Sequence, residues 1–415
     1  MRKINTRNFR LATRSTPRDV NRRIVLNLIR EYQPISRADL ARRMKVRRGT
    51  LTPLVRELIE TGIVFEKGTA ATARGRRPTM LAVRTRGRLV IAADVRSGRS
   101  SIALSDVAGR MLAHESFDTP SSPDQLAELL ANEARRLLRQ HAPHGADGCQ
   151  GMGIVLPGMV DRKTGRLIYA PRLGWRDVDL RAAVSTRLGM KVFIESAPIA
   201  CALARLWLEP EATRSVNSFA YVSVSEGIGV GLVVNGEMLR GESHTAGEFG
   251  HVSLDSSGPE CVCGRRGCWE ALACNAATID RYVGALSGSV PAPVTDVRLR
   301  RAKRSSLLGV DEVVRRAREG EKAAVMALVE TGTHIGRGLA LIVSAFNPGR
   351  IYVGGEITEA WDILENPIRS ALVSGTIPGS AGMTTIVPDS SLAEYRLLGA
   401  VALVTAPGYA ALAVG

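Results

Sequence analysis

Residues 247–270 read GEFGHVSLDSSGPECVCGRRGCWE. The stretch holds one His and three Cys whose types suit a tetrahedral zinc ion. His251, Cys261, Cys263 and Cys268 offer one imidazole nitrogen and three thiolates, a closed set that leaves no position for substrate. Gly264 and Gly267 permit the backbone reversals that bring the three sulfurs round one point. The Cys-x-Cys step is tighter than the usual spacing, and ordinary buried thiols in a reducing cell are the alternative reading. Three Cys within eight residues, flanked by Gly and preceded by Gly250-His251, favour a structural zinc site.

The run Glu248-Phe249-Gly250-His251, followed by Cys261-Val262-Cys263-Gly264-Arg265-Arg266-Gly267-Cys268-Trp269-Glu270, resembles the hallmark of the ROK family. Its members are bacterial sugar kinases and sugar-responsive transcriptional regulators. Related segments recur along nearly the whole chain. The resemblance implies an α/β body with the two-lobed actin-like ATPase (ribonuclease H-like) fold. Ligands would lie between the lobes, and the zinc knot at 251–268 would brace one wall of the sugar pocket.

With 415 residues, the chain is long enough for two or three domains, each with its own core. Its apolar content of 45% suits a soluble globular protein. No apolar run is long enough to cross a bilayer, and Met1-Arg2-Lys3 lacks a signal-peptide core behind it, so no membrane partner and a cytoplasmic location are expected. Six Cys, half of them in one knot, fit metal binding better than a disulfide framework. Charge placement says more than the formal net charge of +16. Residues 1–88 hold 23 Lys and Arg against 6 Asp and Glu, whereas the remainder holds 33 against 34. Such asymmetry points to an N-terminal nucleic-acid-binding unit on a nearly neutral body.

Residues 1–15 carry basic side chains without a period and are expected to form a flexible arm. Residues 16–88 read as a winged helix-turn-helix. Thr16-Pro17-Arg18-Asp19 opens a helix: Thr16 caps, Pro17 suits the first turn, and Asp19 suits the positive end of the dipole. Val20, Ile24 and Leu28 follow on one face until Pro34. Ser36-Arg37-Ala38-Asp39 opens a second helix with Leu40 and Met44 inward. A third, over about residues 47–61, buries Leu51, Leu54, Val55 and Leu58 until Gly62 stops it. Its N-terminal end would enter the major groove of double-stranded DNA with Arg47, Arg48, Thr50 and Thr52. Strands at 63–65 and 80–83 enclose a basic wing whose Arg74, Arg76 and Arg77 would reach phosphates or the minor groove. The segment Ala73-Arg74-Gly75-Arg76-Arg77-Pro78 also resembles the wing of ROK regulators, which the family's kinases lack.

From Leu89 to the end, strands and helices alternate, the span assigned to the ROK body. Strands are expected at 89–95, 101–104, 151–155, 192–194, 219–224, 229–234 and 351–353. Ser122-Pro123 opens a helix with Leu126, Leu129, Leu130, Leu137 and Leu138 on one face, and residues 323–346 form a long helix. Leu286 to Leu308, rich in Ser, Pro and basic residues, reads as a surface loop. In the family's kinases the first strand ends in D-x-G-G-T. Here Asp94-Val95-Arg96-Ser97-Gly98 puts side chains where bare backbone should meet phosphate. The second phosphate loop, G-T-G-I-G in kinases, reads Ser225-Glu226-Gly227-Ile228-Gly229, with a carboxylate that repels a triphosphate. Kinases carry N-D where this chain carries Ser196-Ala197, and a methyl group cannot take a proton from a sugar hydroxyl. Losing that base removes about 10²–10⁴-fold of rate. No catalytic residue is therefore assigned, and no ATP is expected.

For the pocket, the resemblance assigns Glu248 and Glu270 to sugar hydroxyls and His251 to pocket and zinc together. Gly153, Pro157, Gly158 and Asp161 match the turn beside the sugar. Ser196 and Arg172 replace two Asn of the family pattern, which alters ligand choice, and Arg172 invites an acidic ligand. The expected function is a DNA-binding transcriptional regulator, a repressor, controlled by a carbohydrate or sugar derivative. A homodimer or homotetramer would match a palindromic operator. The alternatives are a ROK sugar kinase with a fused DNA-binding domain, and a regulator that answers to a protein partner.

Overall fold

The computed structural model describes residues 18–69, 77–142, 148–209, 216–242, 246–287 and 308–409. The expected arm, the Thr16-Pro17 helix start, and Arg74 and Arg76 of the wing lie outside these residues. In the N-terminal unit, α1 (Arg18–Tyr32) buries Ile24 and Leu28. α2 (Arg37–Met44) begins at Ser36, whose hydroxyl accepts the Asp39 N–H at 3.1 Å. It ends at Lys45, which takes the left-handed conformation at φ 53° and turns the chain into α3 (Arg48–Glu60). α3 buries Leu51, Leu54, Val55 and Leu58, the four residues that the helical spacing places inward. β1 (Ile35–Ser36) joins β2 (Val64–Thr69) and β3 (Thr79–Val83) in a sheet of order β1-β3-β2. The two-residue β1 is too short to show alternation in the sequence.

The body is built on two five-stranded sheets. The first contains β4 (Leu89–Asp94), β5 (Arg99–Asp106), β6 (Met111–Asp118), β7 (Cys149–Leu156) and β11 (Val192–Ser196), in the order β11-β7-β4-β5-β6. Beside it lies a small sheet of β8 (Met159–Asp161), β9 (Arg166–Ala170) and β10 (Trp175–Val178). The second large sheet contains β12 (Phe219–Val224), β13 (Ile228–Val234), β14 (Glu237–Leu239), β15 (Arg350–Gly354) and β16 (Thr385–Asp389), in the order β14-β13-β12-β15-β16. β6 escapes the sequence reading because it is an edge strand with no buried residue and hence no apolar face to detect.

Helices cover these sheets. α4 (Pro123–His141) starts after Ser122, whose side chain makes no capping bond; Pro123 in the first turn sets the start instead. α5 (Leu180–Leu188), α6 (Ala197–Trp207), α7 (Trp269–Ala273) and α8 (Asn275–Ser287) follow. α8 corrects the loop expected from Leu286: the chain is still helical there, because Ala277, Thr278, Tyr282 and Gly284 form a buried face against the next long helix. Residues 288–307 lie outside the description. α9 (Val310–Arg318), α10 (Lys322–Phe346), α11 (Trp361–Ser374) and α12 (Leu392–Tyr409) are the last helices among the described residues. α6 packs on the second sheet and α12 on the first, and the two helices pack on each other. Gly399 lets α12 press against the Ala200 carbonyl of α6, where a Cβ would overlap backbone.

The apolar core of the N-terminal unit runs on into α6 and α12, so the unit shares a core with the body. At this junction the Asn27 amide donates to the Tyr409 carbonyl at 2.8 Å and to the Arg23 carbonyl at 2.9 Å. The Arg30 guanidinium sits 5.0 Å from the Trp207 ring centroid and 4.6 Å from that of Tyr409, and donates to the Trp207 carbonyl at 3.3 Å.

Candidate functional site

Four side chains of the 251–268 knot converge. The His251 Nδ1 is 3.6 Å from the Cys261 Sγ, and the Cys263 and Cys268 sulfurs are 3.6 Å apart. All four candidate ligand atoms lie within 4.8 Å of one another. A tetrahedral ion with Zn–S near 2.3 Å needs sulfurs about 3.8 Å apart, so the donor set and its spacing fit a metal ion of this kind. The backbone explains the convergence. Gly264 and Gly267 both have positive φ, 86° and 61°, and a Cβ on Gly267 would collide with the Asp255 carbonyl. Burial pushes the Cys261 and Cys268 thiols up. Burial acts on Cys263 in the same direction, but hydrogen bonds from the Arg265 backbone and side chain outweigh it and bring the thiol to about 7, which favours the thiolate a metal requires.

The knot is tied directly to elements around both large sheets. Trp269 follows Cys268 and presses on Gly338 of α10, where no Cβ would fit. Glu270, the next residue, accepts the Ile228 N–H at 3.0 Å and lies 3.7 Å from the Arg172 guanidinium. Glu248 stands 3.9 Å from the His251 Nε2; burial raises its pKa, with the His251 charge opposing and the Glu270 charge reinforcing. His251 therefore faces the thiols with one ring nitrogen and the Glu248 carboxylate with the other. Arg172 is engaged by Glu270 across the cleft. Pro157 and Gly158 form the turn after β7, and Gly158, at φ 101°, passes close over the Tyr169 carbonyl. Ser196 closes β11, its N–H donating to Glu195 Oε1 at 3.0 Å. Gly153 lies inside β7 against the Ala400 carbonyl, where its missing Cβ allows sheet–helix packing. Asp161 accepts from the Lys163 N–H at 2.9 Å and the Thr164 hydroxyl at 2.7 Å, holding the β8–β9 turn.

At the phosphate-loop positions, side chains bond to one another across the lobes. The Ser97 hydroxyl donates to Glu226 Oε1 at 2.6 Å. Arg96 pairs with Asp94 at 2.8 Å and with Glu356 at 3.4 Å, and Glu356 also accepts from the Asn275 amide at 3.0 Å. Asp94 is buried and is held from its other side by Arg396 of α12, which also donates to the Val95 carbonyl at 3.0 Å. Sequence reasoning missed Glu356, Asn275 and Arg396, since their partners lie more than 80 residues away. It also missed Glu195, a buried carboxylate paired with Arg240. A charge at the end of the apolar run Val192-Phe193-Ile194 was the available signal.

On the N-terminal unit, Arg47, Arg48, Thr50 and Thr52 are all exposed at the start of α3, and so is Arg77 before β3. The Thr52 hydroxyl donates to the Arg48 carbonyl at 3.0 Å. Arg43 at the end of α2 stacks 3.6 Å from the Tyr32 ring centroid. Among the described residues, no helix is long and apolar enough to cross a membrane.

The model of the ROK family matches residues 90–406. The xylose repressor of Bacillus spizizenii is 29% identical over 381 residues, covering 92% of this chain and 93% of its own. The DNA-binding transcriptional dual regulator NagC of Escherichia coli is 28% identical over 392 residues, covering 93% of this chain and 92% of its own. A crystal structure described as a ROK family transcriptional regulator, homolog of the E. coli MLC protein, superposes with a TM-score of 0.79 at 24% identity. It covers 95% of this chain and 97% of its own. These relatives are transcriptional regulators, and the similarity to them spans both the N-terminal unit and the body.

Proposed function

Because the chain belongs to the ROK family, we propose that it is a sugar-responsive DNA-binding regulator whose kinase-like cleft senses a ligand without phosphorylating it. α3 carries the operator-reading residues Arg47, Arg48, Thr50 and Thr52, and Arg77 adds a phosphate contact from the wing. A zinc ion held by His251, Cys261, Cys263 and Cys268 keeps the wall bearing Glu248 and Glu270 in shape, and those carboxylates accept sugar hydroxyls. Ala197 at the base position and the Ser97–Glu226 bond between the former phosphate turns speak against phosphoryl transfer.

One observation carries this reading: α12 connects the cleft to the DNA reader. At its start Arg396 grips Asp94 beside the first phosphate turn; at its end Tyr409 receives Asn27 and Arg30 of α1. A ligand that prefers one lobe arrangement therefore biases the placement of α1–α3, and two readers in a homodimer or homotetramer change their spacing on a palindromic operator. Selection of bound DNA from a fragment library, followed by footprinting with and without a sugar panel, tests it. A protected palindrome whose occupancy changes with one sugar class is expected. Sequence-independent binding, or sugar-dependent ATP turnover, would overturn it.

A further inference from the structure

We infer that the cleft holds an anion subsite formed by Arg162 and Arg240, so that the effector is an acidic sugar bearing a carboxylate or a phosphate. This rests on the effector reading above and narrows its ligand class. Glu195 at the end of β11 pairs with Arg240, the residue after β14, and Arg162 directly follows β8, a strand that packs against β11. Glu195 is 1% exposed and already committed, one oxygen to the Ser196 N–H and the other to Arg240 Nη1. The Arg240 side chain is 11% exposed, yet its Nε and Nη2 are buried and find no acceptor among the described residues. Arg162 is half-buried and makes no hydrogen bond or ion pair among the described residues. Burial and the nearby Arg240 charge both disfavour its cation, and the Glu195 charge opposes them.

Glu195 thus bonds one guanidinium, that of Arg240, whose remaining donors lack an acceptor, while the Arg162 charge nearby is unpaired among the described residues. Buried donors of a charged group are seldom left unmade, and a planar fork of N–H groups matches a carboxylate or phosphate through two parallel bonds. Ser196, one of the residues that the effector reading assigns to the sugar pocket, adjoins Glu195 and donates to it, so on that reading this spot borders the pocket. Arg162 and Glu195 come from the first lobe and Arg240 from the second, so an anion bound by both arginines also draws the lobes together. Arg172, which the sequence singles out for an acidic ligand, faces Glu270 instead.

The test is thermal unfolding of the full-length protein near neutral pH. The ligand panel pairs each neutral pentose, hexose and N-acetylhexosamine with its uronate or aldonate and with its phosphate. An acidic member should bind at least about 10-fold more tightly than its neutral parent, the gain expected of a charge-assisted bond, and the uronate and phosphate arms separate the two sources. Arg162→Gln, which removes no existing partner, should cancel about 10-fold of that advantage while leaving the neutral parent's binding unchanged. Arg240→Lys keeps the charge beside Glu195 but loses the fork, and should weaken the acid alone. Neutral sugars binding as tightly as their acids, or an Arg162→Gln variant with full affinity for the acid, would overturn the anion subsite and leave the effector reading standing. A panel blank for neutral and acidic sugars alike would overturn both.

Discussion

Truncating Arg30 should release the unfolding of the DNA-reading unit from that of the body. The guanidinium lies between the Trp207 and Tyr409 rings, at 5.0 and 4.6 Å, and bonds to the Trp207 carbonyl. Two desolvated cation–π contacts contribute about 1–2 kcal/mol each, and a hydrogen bond from a charged donor about 1.5–3 kcal/mol. Burial also depresses the Arg30 pKa, which means that desolvation of the charge offsets much of this gain. A net loss of about 2 kcal/mol remains for Arg30→Ala. The unit that unfolds sets the visible shift. A unit of 60–100 residues moves by about 4–8 °C per kcal/mol, so a reader that opens alone should melt about 8–16 °C earlier. If the whole chain melts as one, the shift falls to about 2–4 °C. Calorimetry, with hydrogen exchange read separately over α1–α3 and over the body, distinguishes these cases. The expected outcome is one transition in the wild type and an early reader transition in the variant, with the body unmoved. A single transition within about 1 °C of the wild type would refute the claim that Arg30 couples the two parts.

Metal analysis of protein purified without chelator should find one zinc per chain; Cys268→Ser should lose it and about 2–5 kcal/mol of stability, and a fully stable metal-free wild type would contradict the knot's role. His334 of α10 is 12% exposed and its pKa is lowered from 6.5 to about 4, first by burial and then by the Arg281 and Arg337 charges. The fold thus favours the neutral ring: its stability contribution is complete above pH 6.5 and is lost as pH falls towards 4, by up to about 3 kcal/mol. Urea midpoints measured across that window should fall less steeply for His334→Gln, and an unchanged slope would show that another group governs the acid limb. Restoring the missing base with Ala197→Asp should yield no sugar-dependent ATP turnover in a coupled assay, because Ser97–Glu226 and Arg96–Glu356 still fill the phosphate turns; measurable turnover would show these bonds give way to nucleotide.

The sequence by itself determined what local spacing and residue chemistry can encode. The four inward residues of α3 follow from the 3.6-residue period, the Ser36 cap from its residue type before Asp39, and the strands β4, β7, β12 and β13 from short continuous apolar runs, all of them local signals independent of distant partners. The cluster of His251, Cys261, Cys263 and Cys268 was legible because all four side chains fall within 18 residues. Edge strands such as β6 and short strands such as β1 were not, since neither buries a long enough face to leave a pattern. Tertiary structure alone decided that the reader shares its core with α6 and α12, that Gly153 serves packing, and that Arg172 turns to Glu270. It alone paired Ser97 with Glu226, Arg96 with Glu356 and Arg396 with Asp94. Those partners are separated by 129 to 302 residues. A sequence shows which side chains carry charge or donors, but which of them meet depends on how two sheets and two helices pack, because Coulombic and hydrogen-bond energies depend on distance in space and local dielectric, not on separation along the chain.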